Sequence, residues 1–254
     1  MTAPVFEGVG VPVVTLFHDD GSVDAQATAE HAARLVELGM RSVVVAGSTG
    51  EAASLDRDER AELLRAVRKE VTSVPVIAGT GQPSTRQAVI LTKEACAEGA
   101  DAIIAISPPG SVDVRPYYDA VVQAAHNVPV LAYHFPDVSP PGIPVTTLVD
   151  LGVAGCKDSS GSADRLLAEL DAWDLPLYVG SSALLALAGP LGCAGAIVAL
   201  ANAEPERCVA AFAGDVATQR ALADAHRRSM ANFPAGVKRM TAERFGTSAV
   251  TRMG

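Results

Sequence analysis

Short apolar runs alternate with amphipathic stretches along the whole chain. The runs that read as strands cover residues 9–15, 42–46, 75–80, 102–107, 129–133, 153–157, 177–180 and 195–200. Most are continuously apolar, as parallel strands buried on both faces are. The stretches between them carry a helical period. In 56–71, Leu63, Leu64, Val67 and Val71 fall at i, i+1, i+4 and i+8 and form one stripe. Residues 24–38 and 84–98 run up to Gly39 and Gly99, each suited to the left-handed position that follows a helix.

Strand then helix, repeated every 25–30 residues or so, predicts a doubly wound sheet or a (β/α)8 barrel. Eight strands favour the barrel. Polar and glycine-rich clusters follow the strand ends: Gly47-Ser48-Thr49-Gly50-Glu51, Gly79-Thr80-Gly81, Ser107-Pro108-Pro109-Gly110 and Lys157-Asp158-Ser159-Ser160-Gly161. In a barrel they converge on one rim, where barrel enzymes keep their active sites. The expected architecture is α/β: a (β/α)8 TIM barrel over 1–202, with a short C-terminal helical extension over 203–254 packed on it. Roughly 205–230 and 235–244 read as its helical parts.

Composition narrows the function classes. The chain has 254 residues, 49% of them hydrophobic, so it can bury a sizeable core and is not disordered. No apolar run reaches the roughly 18 residues of a spanning helix, and the first ten residues lack a signal-peptide pattern. A cytoplasmic, soluble protein is expected. Lys and Arg total 20 against 29 Asp and Glu, a net charge of −9, which argues against nucleic acid and anionic membrane as partners. The cysteines Cys96, Cys156, Cys193 and Cys208 form no CxxC pair and read as free thiols in a reducing compartment. The five histidines have neither HxH nor HExxH spacing. No metal and no cofactor is expected, and His134 is expected to be structural, facing away from Tyr133.

Only four basic residues are lysines: Lys69, Lys93, Lys157 and Lys238. Lys69 and Lys93 fall on amphipathic helices, and Lys238 falls in the C-terminal extension. Lys157 ends an apolar strand, where a lysine is rarely buried without a reason. An amine must be neutral to attack a carbonyl, and apolar walls disfavour an ammonium. Lys157 is therefore a candidate Schiff-base lysine; the bland alternative is a salt bridge at a strand end. Strand alternation points its neighbour Asp158 to the other face. Tyr133 ends the fifth strand and offers a phenol that can shuttle a proton. Gly47-Ser48-Thr49-Gly50-Glu51 offers successive backbone N–H groups and two hydroxyls to an anion, though an ordinary turn has the same composition.

Taken in order, Gly47-Ser48-Thr49-Gly50-Glu51, Tyr133-His134-Phe135-Pro136 and Gly155-Cys156-Lys157-Asp158-Ser159 resemble the dihydrodipicolinate synthase and N-acetylneuraminate lyase superfamily of pyruvate-dependent class I aldolases. Pro75-Val76-Ile77-Ala78-Gly79-Thr80-Gly81 and Gly195-Ala196-Ile197-Val198 resemble its third and eighth strands. The resemblance implies a lyase that joins or cleaves a 2-oxo acid, pyruvate above all, and an aldehyde, both small-molecule partners. It implies that Lys157 forms the imine, Tyr133 shuttles protons, Ser48 and Thr49 with Gly47 hold the carboxylate, and the backbone carbonyl of Ile197 lines the site. A homodimer or homotetramer is implied in the same way.

Two departures bear on the activity. The lysine-pathway synthase, 4-hydroxy-tetrahydrodipicolinate synthase, has an Arg two residues after the motif's Pro, where this chain has Val138. Relatives also carry a relay Tyr just after the fourth strand, where this chain reads Ser107-Pro108-Pro109-Gly110; Tyr117 and Tyr118 come later and read as helix-start residues. Both weigh against the synthase, which stays as an alternative. A non-catalytic ligand-binding barrel is a second. A third is an unrelated phosphate-binding barrel using Gly180-Ser181-Ser182, which leaves a lysine at the sixth strand without a role.

Overall fold

The computed structural model describes residues 3–253. Eight parallel strands close into a barrel in sequence order: β1 (Gly8–Pro12), β2 (Ser42–Val45), β3 (Val76–Gly79), β4 (Ala102–Ile106), β5 (Val130–His134), β6 (Gly155–Asp158), β7 (Leu177–Val179) and β8 (Gly195–Ile197). The helices are α1 (Ala25–Glu37), α2 (Arg57–Glu70), α3 (Thr85–Ala97), α4 (Arg115–Ala125), α5 (Val145–Leu148), α6 (Ala163–Ala172), α7 (Leu185–Ala188), α8 (Pro205–Phe212), α9 (Val216–Ala221), α10 (Ala223–Met230) and α11 (Ala235–Phe245). Helix α8 packs against α7 and β1, in the place of the eighth helix of the ring, and α9–α11 form the extension.

The continuous apolar strands hide an alternation that burial resolves. Val44, Ile77, Ile104, Leu131, Tyr133, Tyr178 and Ile197 fill the barrel interior. Their neighbours Val43, Val45, Ile103, Ala132, Cys156 and Val179 face the helices. Both faces are apolar because both are covered. Small residues make room for large ones inside: Phe6 plugs the lower end and stacks on Tyr178 at 4.7 Å. A Cβ on Gly195 would meet Gly8 O at 2.4 Å and Tyr178 Cδ1 at 3.0 Å, so only glycine fits between them.

Helix limits follow their caps. The α2 stripe starts at a capping box, in which Asp56 accepts from the Glu59 N–H and the Glu59 side chain accepts from the Asp56 N–H. The first and last strands are shorter than their apolar runs. After Pro12, the N–H of Val14 donates to Asn202 Oδ1 at 3.0 Å, and Asn202 Nδ2 donates to Pro12 O at 2.8 Å. Asn202 ends a 3-10 turn over Ala199–Asn202 that takes up the apolar residues following β8. The run expected at 205–230 is broken at Gly214-Asp215, where Asp215 caps α9 by accepting from the Thr218 N–H, and again at Leu222 between α9 and α10.

Candidate active site

β5 and β6 pair in parallel with Tyr133 opposite Lys157. Both side chains face inward at the C-terminal rim, and each is only 6% exposed. Lys157 Nζ lies 4.2 Å from the centre of the Tyr133 ring. Ser159 Oγ donates to the Tyr133 hydroxyl at 3.5 Å. The Tyr133 ring stacks on Phe135 at 5.8 Å. Gly180, after β7, lets Lys157 pass: a Cβ there would lie 3.0 Å from Lys157 Cε and 1.8 Å from Ser159 Oγ. An amine, a phenol and an alcohol thus meet at the mouth of the barrel.

The amine and the phenol line two adjoining cavities. The larger, about 240 Å³, also has Thr49, Ser159, Ser181, Ser182, His226 and Phe233 in its wall. The smaller, about 50 Å³, includes Gly47, Ser48, Gly79 and Gly81. Ser48 and Thr49 therefore both reach the Lys157 surroundings. Their backbone N–H groups make no hydrogen bond within the described residues, so two donors and two hydroxyls remain for an anion. Ile197 is buried in the barrel interior among the residues packed with Tyr133, but it lines neither cavity; Ala199 and Leu200 line the larger one.

The loop over 47–51 is held from outside. Ala46 and Glu51, which bracket it, adopt left-handed φ of 51° and 55°, a backbone state that non-glycine residues hold only where the surroundings impose it. Thr15 Oγ1 donates to Gly50 O at 2.7 Å. Glu51 is fully buried and accepts from Lys238 Nζ at 2.6 Å and from the N–H groups of Arg252 and Met253 at 2.8 and 2.7 Å. Burial pushes the Lys238 ammonium down, and Glu51 pulls it back up. Lys238, placed by the sequence in the C-terminal extension, is therefore a buried lysine that reaches this loop.

Behind β5 and β6 lies a second polar layer. Asp158 faces outward, accepting from the Ser160 N–H at 2.7 Å and from its hydroxyl at 3.0 Å. Arg165 bridges Asp158 at 3.5 Å and Glu169 at 2.7 Å. Burial, then the charge of Asp158, pushes Glu169 up to about 8. His134 turns away from Tyr133; its Nδ1 accepts from the Ile143 N–H at 2.8 Å, and burial lowers its imidazole to about 4. The Tyr118 hydroxyl donates to Ala105 O at 3.0 Å and accepts from the Tyr133 N–H at 3.3 Å, bracing β4 and β5 from outside. Tyr117 and Tyr118 lie in α4 and line neither cavity. No group of three or more His, Cys, Asp or Glu able to hold a metal occurs among the described residues.

A model of the dihydrodipicolinate synthetase family matches residues 5–244. The chain belongs to this family. It is 37% identical over 243 residues to an uncharacterized DapA-like lyase of Halobacterium salinarum, covering 91% of this chain and 79% of that one. It is 33% identical over 237 residues to the 4-hydroxy-tetrahydrodipicolinate synthase of Natronomonas pharaonis, covering 87% and 80%. The chloride-inhibited dihydrodipicolinate synthase of Acinetobacter baumannii, solved with pyruvate, superposes with a TM-score of 0.87 at 26% identity, covering 98% of this chain and 94% of that one. As a member of the dihydrodipicolinate synthetase family, this chain is a lyase on a (β/α)8 barrel. Among the described residues, no helix is long and apolar enough to cross a membrane.

Three features of this family member were not legible one by one. Lys238 is 187 residues from Glu51, His226 comes from the extension, and Gly180, noted only within a phosphate-binding alternative, gives no sign in the sequence that it stands against Lys157. Only the closed barrel brings them to the rim. Ser107, which opens the Ser107-Pro108-Pro109-Gly110 stretch after β4, is buried, and its N–H donates to Tyr133 O at 3.1 Å. Val138 stands 53% exposed on the loop after β5.

Proposed function

We propose that the protein catalyses reversible aldol cleavage or condensation between pyruvate and an aldehyde through an imine on Lys157. The observation that carries this reading is Lys157 itself: an amine buried at the rim, against the Tyr133 ring and beside an anion-binding loop. The amine attacks the ketone carbon, and the carbinolamine loses its oxygen as water, giving the imine. Tyr133, bonded to Ser159, moves the protons. Ser48, Thr49 and Gly47 hold the carboxylate; Ile197, whose carbonyl the resemblance assigns to the site wall, lines neither cavity and takes no step. The protonated imine withdraws electrons, so the methyl carbon loses a proton and becomes an enamine. The enamine carbon bonds to the aldehyde carbon, the aldehyde oxygen takes a proton, and water releases a 2-oxo-4-hydroxy acid and the free amine.

The same resemblance supports a homodimer or homotetramer, read by sedimentation. Val138, in place of the synthase's Arg, leaves the lysine-pathway reaction the weaker reading. The deciding experiment is borohydride reduction with pyruvate, followed by intact mass and peptide mapping. A pyruvyl adduct on Lys157 that is absent in Lys157→Ala is the expected result. A folded protein that traps nothing on Lys157 overturns the reading.

A further inference from the structure

The larger cavity extends past Lys157 to a wall made by the β7–α7 turn and by α10. Ser181 and Ser182 come from the turn, His226 and Ser229 from the helix, and Ser160 from the β6 end. His226 Nδ1 and Ser182 Oγ are 2.8 Å apart. Gln219 of α9 braces the turn: its Nε2 donates to Ser182 O at 3.0 Å, and its Oε1 accepts from the Ala186 N–H at 2.9 Å. The Ser229 hydroxyl donates to His226 O at 2.8 Å. The pair is thus braced by Gln219 from outside the cavity and by Ser229 from its wall, and His226 Nε2 makes no hydrogen bond among the described residues.

The two tautomers of His226 leave the same capacity. If Ser182 donates to Nδ1, Nε2 carries the proton and donates, while the serine oxygen accepts. If Nδ1 donates to Ser182, the serine hydroxyl donates, while Nε2 accepts. Either way the pair offers one donor and one acceptor. A hydroxyl matches both; a carboxylate accepts only and leaves the acceptor facing another acceptor. The charges in the wall agree. Lys157 is its one lysine or arginine and becomes the imine, and Asp137 lies at the exposed edge. Burial, then the charge of Arg227, lowers the His226 imidazole and so favours its neutral form.

We propose that Ser182 and His226, with Ser160, Ser181 and Ser229, form the aldehyde subsite and select an uncharged hydroxylated aldehyde over an aldehyde that carries a carboxylate. At about 240 Å³ the cavity is smaller than the sites of drug-sized ligands and suits a small metabolite. The product is then a 2-oxo-4-hydroxy acid bearing further hydroxyls. This rests on Lys157 forming the imine with pyruvate.

The test measures kcat/KM for condensation of pyruvate with D-glyceraldehyde, glyoxylate and succinic semialdehyde, beside borohydride trapping with pyruvate alone. Glyceraldehyde is expected to exceed both acids by about tenfold or more, the scale of one or two well-made hydrogen bonds to neutral groups. Ser182→Ala and His226→Asn are each expected to raise the glyceraldehyde KM about 3–10-fold, with less change in the pyruvate KM. Retention of the native melting curve confirms that these variants fold. Normal trapping with an acid aldehyde preferred overturns the subsite assignment and leaves the imine standing. An equal rise in both KM values also overturns it. Failure to trap pyruvate on Lys157 overturns the imine and the subsite together.

Discussion

Lys238 of α11 and Glu51 of the loop after β2 form a fully buried ion pair, Nζ to Oε1 2.6 Å. The lysine also donates to Val250 O at 2.6 Å. Arg252 then reaches back along the chain: its guanidinium donates to Gly21 O at 2.7 Å and Ser54 O at 3.0 Å and pairs with Glu59. The loop that offers Ser48 and Thr49 to a ligand is therefore fastened by residues at the far end of the sequence.

Removing one partner leaves the other charge buried alone. Lys238→Met is expected to cost about 3–5 kcal/mol of stability, and Glu51→Gln/Lys238→Met to recover much of that loss. Urea denaturation of the three proteins measures it. Equal stabilities for the single variant and the native chain would show that the pair contributes nothing.

The phenol of Tyr133 is separable from its ring. Tyr133→Phe keeps the stack on Phe135 but removes the oxygen that Ser159 reaches. Turnover is expected to fall about 10²–10³-fold, with the melting temperature nearly unchanged. Steady-state kinetics and a thermal melt decide it, and an unchanged kcat would remove Tyr133 from the proton path.

Gly180→Ala probes the space that Lys157 occupies. The new methyl would overlap Ser159 Oγ and press on Lys157 Cε. A displacement near 1 Å at a reacting group costs about 10²-fold, so the rate of pyruvate trapping is expected to drop by 10-fold to about 100-fold in a folded protein. A trapping rate within twofold of the native value would mean that the amine has more freedom than this packing allows.

Glu169 gives a pH dependence whose sign follows from its raised pKa of about 8. Between the ordinary carboxylate range, about 4.3, and about 8, the folded state holds a proton that the unfolded chain has released. Its contribution to stability is therefore full at low pH and shrinks as pH rises through that window. Glu169→Gln keeps the shape without the charge. The variant is expected to match the native protein near pH 5 and to be the more stable near pH 8.5. Parallel melting curves at both values would exclude a raised pKa at Glu169.

How much of this was legible in the sequence depends on distance along the chain. The eight strands, the α1, α2 and α3 stripes and the rim position of Lys157 rest on local pattern, and local pattern located them. The split into inner and outer faces did not show, because residues such as Ile103 and Ile104 are equally apolar. The outward turn of Asp158 and His134 followed from strand alternation. The burial of Lys238 did not, because its partner Glu51 lies 187 positions away. The break of the extension at Leu222 escaped for the opposite reason: no glycine or proline marks it.

Three bonds that complete the rim span nearly the whole chain: Val14 to Asn202, Glu51 to Lys238 and Glu51 to Arg252 are separated by 188, 187 and 201 positions. Such closures are the slow contacts of folding, and a chain emerging from the ribosome makes them last. The first two strand–helix units can pair early, but the Ser48-Thr49 loop keeps an unpaired glutamate at its back until α11 has been synthesised. The shape of that loop is thus settled only once the last helix and the residues after it are in place.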